Sequence, residues 1–336
     1  MLLMKDILNE LFEYKSLSRE QSKEILTNLA QGRYNTSEMA AFLTVYLMRS
    51  ITVHELAGFR DAMLKLCVPI NMEEYDVMDL CGTGGDGKDT FNISTLASFI
   101  VAGAGQMVAK HGNNGVSSIC GSSNLLQHLG YRFTNEEEKL KKVLEASNIC
   151  FLHAPLFHPA MKNVAPVRKE LGVKTFFNML GPMVNPTFLK KQIVGVFSLE
   201  LVRLYGYLYQ QSDADYIILH SLDGYDEISL TGNFKMTGPN DDAIISPSEL
   251  GLDQVNADEL KGGNTVEESA RIFMGILNGK GNSAQNQVAI ANAGVALYCA
   301  KKADTIEDGV AMAKESLESK RALQCFTTFI ETSQKN

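Results

Sequence analysis

Four glycines and an aspartate crowd into six residues of this chain: Gly82, Gly84, Gly85, Asp86 and Gly87. An apolar run from Val77 to Cys81 precedes them, and Asn92-Ile93-Ser94-Thr95 then opens an apolar stretch, Leu96 to Ala104. Glycines let a backbone turn sharply and bring N–H groups against an anion. A helix start adds unpaired N–H donors and a positive dipole end. The order strand, glycine loop, helix start is therefore the build of a phosphate cradle, set against a plain glycine-rich turn with Asn92 or Ser94 as N-cap. Gly82 to Asp89 nearly spells the P-loop pattern, but Asp89 stands where a magnesium-binding hydroxyl is required. The dinucleotide fingerprint also fails, because Gly82-x-Gly84-x-x-Gly87 does not run directly into a helix.

A second cluster follows: Lys110-His111-Gly112-Asn113-Asn114-Gly115-Val116-Ser117-Ser118, then Cys120-Gly121-Ser122-Ser123. Val108-Ala109 reads as the end of a short strand, which places Lys110 at a strand's carboxyl end, where open α/β sheets collect ligands. One cation and several hydroxyls suit a multiply charged phosphate ester; the competing reading is a polar loop turning at Asn114-Gly115. Farther along, Asp226 and Glu227 are adjacent carboxylates, either a magnesium pair or a solvated acidic turn. Arg168 can grip a carboxylate with two parallel hydrogen bonds, although Lys162, Lys169 and Lys174 around it also fit a plain basic face.

These segments, with His158-Pro159-Ala160-Met161, Val164 to Gly172, Phe177 to Pro182 and Asp223 to Ser229, resemble the signatures of the anthranilate phosphoribosyltransferase family in the same order. The resemblance implies transfer of a phosphoribosyl group from 5-phosphoribosyl 1-diphosphate to anthranilate in tryptophan biosynthesis, with release of diphosphate. It implies donor binding by Gly82, Gly85, Asp86, Thr90, Asn92, Ile93, Ser94 and Thr95, and by Lys110, His111, Gly112, Asn113, Asn114, Gly115, Val116, Ser117, Ser118 and Ser122. Anthranilate falls to Gly82, Asn113 and Arg168, and Mg2+, two ions per active site, to Ser94, Asp226 and Glu227. An aromatic amine carries little proton at neutral pH, so no general base is assigned. His111 and His158 stay outside any catalytic role. Asn114 stands where the family usually carries Arg, Cys120 and Asn124 where Ser and Asp are usual, and Phe157 where a His is usual. A pyrimidine nucleoside phosphorylase and a non-catalytic nucleic-acid-binding paralogue are the alternatives. The first lacks the glycine and Arg168 segments, and the second would need a basic surface and no acidic pair.

The elements that must position these residues divide into two kinds. Met4, Ile7, Leu8, Leu11 and Phe12 share one helical face, and Ser18 with Gln21, Asn35 with Glu38 and Thr52 with Glu55 form capping boxes. The stretch from Met39 to Met48 is apolar nearly all round, which requires cover on several sides, inside the helical domain or at a subunit contact. From Asp76 onward strands and helices alternate: strands at Val77–Cys81, Met107–Ala109, Ile149–His153, Gln192–Phe197, Ala214–Leu219 and Ile228–Leu230, and helices at Leu96–Ala104 and Asn135–Ala146. Helices return from Ala284 to Thr332. The fold class is α/β, with a small N-terminal helical domain, 1–68, and a larger domain, 72–336, whose central, largely parallel sheet is flanked by helices. The resemblance implies that a helical segment near 161–186 joins the small domain, and that the enzyme pairs as a homodimer through it.

Composition agrees with a small-molecule enzyme. The chain has 336 residues, enough for two domains, and a net charge of −8, which argues against nucleic acid as the main partner. Six scattered cysteines form no zinc or disulfide framework, no apolar stretch reaches membrane-spanning length, and the opening Met1 to Met4 is too short for a signal peptide. The expected location is the cytoplasm, with no membrane partner.

Overall fold

The computed structural model describes residues 2–115 and 119–335. The chain separates into two compact units, Met1–Pro69 with Pro155–Pro186, and Ile70–Ala154 with Thr187–Asn336.

The first unit is helical. Its helices Arg19–Ala30, Thr36–Met48 and Val53–Leu66 each start in a complete capping box, with Ser18, Asn35 and Thr52 accepting from the backbone of Gln21, Glu38 and Glu55. Each box satisfies two N–H groups that a helix start would otherwise leave unpaired. Phe42 and Phe59 are fully buried, and Phe176 from the later segment stacks on Phe59 with ring centroids 4.4 Å apart. Phe176 also meets Phe42 and Tyr46 edge to face, and Asn163 donates to the Ala30 carbonyl at 2.7 Å. Residues 155–186 are thus part of this core. The apolar helix Thr36–Met48 buries Met39, Phe42, Leu43, Val45 and Tyr46, while Leu47 and Met48 stay exposed.

The second unit carries, among the described residues, a seven-stranded sheet. Its strands are β1 (Met78–Gly82), β2 (Val108–Gly112), β3 (Ile149–His153), β4 (Lys191–Gly195), β5 (Asp215–Ser221), β6 (Phe234–Thr237) and β7 (Asp242–Ile245), in the order β3-β2-β1-β4-β5-β6-β7. The first five run parallel, and β6 and β7 close the edge antiparallel. Helices Ile93–Gly103, Glu137–Ser147 and Leu199–Tyr209 make crossovers between parallel neighbours. The helix Ser283–Cys299 is buried along nearly its whole length, and small residues let it approach its neighbour. A Cβ on Gly294 would lie 2.7 Å from the Val310 backbone of helix Ile306–Glu318.

Three sequence expectations are corrected here. β2 runs on to Gly112, so Lys110 lies in mid-strand rather than at its end. Residues Ile228–Leu230 form no strand; Ile228 and Ser229 bond to the side chains of Asn292 and Ser221, and the Leu230 carbonyl accepts from the Val255 N–H. The pattern predicts neither the antiparallel pair β6 and β7 nor the helix Val266–Leu277.

Candidate active site

The chain passes from β1 out to β2 and β3 on one side and returns to β4 on the other. Such a reversal leaves a crevice beyond the carboxyl ends of the two central strands, the usual ligand position in an open α/β sheet. Here those ends are Gly82 and Gly195, directly paired. Asp226 lies against both. A Cβ on Gly82 would stand 2.5 Å from its Oδ2, and one on Gly195 would overlap its backbone oxygen. The remaining glycines of the first loop, Gly84, Gly85 and Gly87, have φ of 63°, 79° and 72°, left-handed values that cost other residues strain. Four glycines are therefore needed for two reasons, close approach at the first and backbone turning at the other three.

The loop is fixed to the acidic segment at several points. The N–H of Gly84 donates to Asp226 Oδ2 at 2.7 Å. The N–H of Ser94, in the first turn of helix Ile93–Gly103, donates to Glu227 Oε1 at 2.8 Å. That contact sets a carboxylate at the positive end of a helix dipole. Asp226 is buried and Glu227 half-buried. Burial, then repulsion from Glu227 and Asp86, pushes the Asp226 carboxyl well above the usual range. Burial and Asp86 likewise raise Glu227, against the Ser94 hydrogen bonds and nearby Lys110.

Among the described residues neither carboxylate has a cation at ion-pair distance. Carboxylates gathered with no directly paired cation suit a divalent cation, and carboxylate and hydroxyl oxygens are the ligands Mg2+ prefers. No group of three or more His, Cys, Asp or Glu side chains among the described residues could hold a metal unaided. That fits an ion completed by phosphate oxygens and water.

Lys110 is 2% exposed, and its ammonium donates to the Leu80 carbonyl of β1 and to Ser94 Oγ at 3.4 Å. It sits beneath the helix start. His111 is buried too, its N–H directed at Asp79 Oδ1. Gly112 is required as glycine, since a Cβ there would meet Ser122 Oγ and the Phe151 ring. Asn113 and Asn114 are exposed. The Asn113 carbonyl accepts from the Ser122 hydroxyl at 3.3 Å and from the Ser123 N–H at 3.1 Å. Val116, Ser117 and Ser118, expected to bind the donor, lie outside the described residues.

Of the other expected donor residues, Ile93 and Thr95 turn their side chains into the core, which leaves only their backbone for a ligand. Asn92 caps its helix without a side-chain capping bond; its amide instead donates to the Cys120 carbonyl at 2.9 Å, tying the two loops together. Thr90 bridges to Lys261.

In the helical unit, Arg168 lies on the short helix Ala165–Leu171 with its guanidinium 5.1 Å from the centre of the Phe177 ring and 3.4 Å from Asn178 Oδ1. Burial lowers its pKa, and no carboxylate among the described residues pairs with it. A largely desolvated guanidinium whose fork lacks an anion is suited to receiving one. The imidazole of His158 is buried against the Val184 carbonyl, and burial pulls its pKa down to about 4, so it is neutral near pH 7.

Two roles escaped the sequence reading, in which Asn124 stood only as a departure from the family pattern. Lys88 reaches the Asp223 carbonyl at 2.8 Å and lies over the Tyr225 ring, joining the glycine loop to the acidic one. Asn124 accepts from the N–H groups of Gly115 and Gly121 and so closes the second loop. Neither side chain has a sequence signature, since its partners are backbone groups or a distant ring.

Comparison with known proteins gives this geometry a context. Residues 74–323 match the α/β domain model of a glycosyl transferase family, and residues 5–67 match that family's helical bundle domain. The anthranilate phosphoribosyltransferase of Flavobacterium psychrophilum is 58% identical over 321 residues, covering 96% of this chain and 97% of its own. The crystal structure of the Thermus thermophilus enzyme of the same name superposes with a TM-score of 0.91 at 33% identity, covering 97% of this chain and 99% of that one. The Saccharomyces cerevisiae enzyme, solved in complex with PRPP and Mg, gives 0.90 at 26% identity, over 99% and 98% of the two chains.

Proposed function

This chain belongs to the anthranilate phosphoribosyltransferase family, and on that premise we propose how its residues divide the work. The reaction transfers the phosphoribosyl group of 5-phosphoribosyl 1-diphosphate to the amine of anthranilate. It yields N-(5-phosphoribosyl)anthranilate and diphosphate in tryptophan biosynthesis, and neither alternative activity is supported by the relatives. The ribose C1–O bond to diphosphate breaks and a C1–N bond forms, with positive charge on the ribose in between. Positioning and electrostatic stabilisation carry such a reaction, because the amine already has a free lone pair.

The observation that carries the assignment is the seating of Asp226 on Gly82 and Gly195 at the strand reversal, with Glu227 beside the helix start. In this reading Asp226, Glu227 and the Ser94 hydroxyl hold Mg2+, two ions per site, which when bound neutralises the departing diphosphate. The glycine loop offers backbone N–H groups to the donor, with Asp86 accepting from ribose or water, and Asn113, Asn114 and Ser122 offer polar groups. Lys110 acts from below, as a fixed positive charge under Ser94 and Glu227. Arg168 takes the anthranilate carboxylate, with Asn113 and Gly82 as further acceptor-site residues.

The proposed homodimer forms through the helical unit, whose Leu3, Phe12, Tyr14, Leu47 and Met48 are exposed. A cytoplasmic location is in keeping with six free cysteines and with the absence, among the described residues, of a helix long and apolar enough to cross a membrane. The direct test is loss of anthranilate fluorescence when enzyme, Mg2+ and the donor are combined. Turnover that stops on chelation and resumes with Mg2+ is expected. Equal turnover in the presence of excess chelator would reject the metal role.

A further inference from the structure

An asparagine stands in the middle of a long, largely buried helix of the α/β unit. Asn292 is 5% exposed on helix Ser283–Cys299, between Ala291 and Ala293, both fully buried. A buried amide is unfavourable unless its polar atoms are all bonded. Here they are. Asn292 Oδ1 accepts from the Ile228 N–H at 3.1 Å, and Nδ2 donates to the Ile228 carbonyl at 2.8 Å and to the Val288 carbonyl of its own helix at 2.8 Å. The side chain thus takes both backbone groups of one residue, as a neighbouring strand would. That residue directly follows Glu227.

A second buried polar group acts on the same segment. Ser221, the last residue of β5, is fully buried. Its hydroxyl donates to the Glu227 carbonyl at 2.7 Å and accepts from the Ser229 N–H at 3.2 Å. Its own N–H donates to the Tyr225 carbonyl at 3.0 Å. Backbone groups of Tyr225, Glu227, Ile228 and Ser229 are therefore all held from the core, although the segment belongs to no strand. Pinning the backbone on both sides of Glu227 limits where its carboxylate and that of Asp226 can stand.

We propose that Asn292 is a positioning residue: its double hydrogen bond to Ile228 sets the placement of the Asp226–Glu227 carboxylates that receive the divalent cation. The inference rests on the assignment of that pair to the metal. Groups that orient metal ligands without touching the metal typically change metal affinity about 10-fold to 100-fold when lost.

The test uses the whole enzyme and Mn2+ as probe. Free Mn2+ is followed by electron paramagnetic resonance with 5-phosphoribosyl 1-diphosphate present, and KM is measured for each substrate. Asn292→Leu keeps the branched heavy-atom outline and removes all three hydrogen bonds. It is expected to weaken Mn2+ binding roughly 10-fold and to raise donor KM, leaving anthranilate KM in place. Val295→Ala, a change in the core of the same helix, should lower thermal stability and move neither quantity. Should Asn292→Leu fold poorly, Ser221→Ala carries the same expectation through its bonds to Glu227 and Ser229. Metal affinity in Asn292→Leu and Ser221→Ala that matches Val295→Ala would overturn the proposal and leave Asn292 a core residue only. Wild-type Mn2+ affinity in an Asp226→Asn, Glu227→Gln double variant would instead reject the metal assignment itself.

Discussion

In the α/β unit, the buried cation Lys110 donates to the Leu80 carbonyl and to Ser94, and the carboxylates near it are held by backbone N–H groups. In the helical unit, Arg168 rests over an aromatic ring beside one amide oxygen, with no carboxylate partner among the described residues. The donor region is a network that is largely satisfied within the protein, short only of positive charge. The Arg168 region is short of negative charge. Complementary deficits of this kind are what a polyanion accompanied by a cation, and a small aromatic carboxylate, would fill. On the proposed roles, the contrast puts more preorganisation at the donor, where charge develops during reaction, than at the acceptor.

The comparison breaks first at the acidic pair. Asp226→Ala with Glu227→Ala removes the feature that makes the donor region cation-poor, and turnover should fall about 10³-fold or more at every Mg2+ concentration. Steady-state assays across a Mg2+ series check this, and activity restored by high Mg2+ would count against it. Gly82→Ala comes next. Its methyl would enter the space of the Asp226 carboxylate, and a displacement of about 1 Å there can lower kcat by up to ~100-fold. The protein should remain folded by circular dichroism.

Arg168→Lys sharpens the other half. The charge survives and the two-pronged geometry does not, so anthranilate KM should rise about 10-fold with donor KM unchanged. A rise confined to donor KM would remove Arg168 from the acceptor site. The smallest effect belongs to Asn114→Arg. It adds one exposed charge beside the donor loop, worth about 1 kcal/mol at low ionic strength, or roughly fivefold in donor affinity. The gain should shrink as salt is added, and donor affinity unaltered at low salt would show that the side chain does not face the phosphates.

Much of this was legible because local chemistry and global fold agreed. The three capping boxes stand where Ser18, Asn35 and Thr52 led one to expect, and the α/β alternation from Asp76 onward gives the parallel sheet. The failures have physical causes. Ile228–Leu230 resembles a strand in composition, but the backbone partners of Ile228 and Ser229 are the side chains of Asn292 and Ser221, which periodicity cannot reveal. β2 was cut short because His111 and Gly112 are poor strand formers, yet Gly112 is dictated by the packing of Ser122 and Phe151. β6 and β7 are four-residue strands joined by Gly238, Pro239, Asn240 and Asp241, too brief for alternation to register. For the site, the glycines and carboxylates were visible as residue types. Their union was not, since Gly84 and Asp226 are 142 positions apart.

The stacking of Phe176 on Phe59 bears on how the chain is made. The aromatic cluster of the helical unit lacks Phe176 until residues 155–186 arrive, after β1, β2 and β3 have been synthesised. Contacts across so long a separation form late, because the intervening chain must first be ordered. On the ribosome the first 69 residues therefore wait, helical but incomplete, with Phe42 and Phe59 short of a neighbour. Vectorial synthesis cannot finish this N-terminal unit first, and a fragment ending at Pro69 should expose that apolar surface and associate with itself.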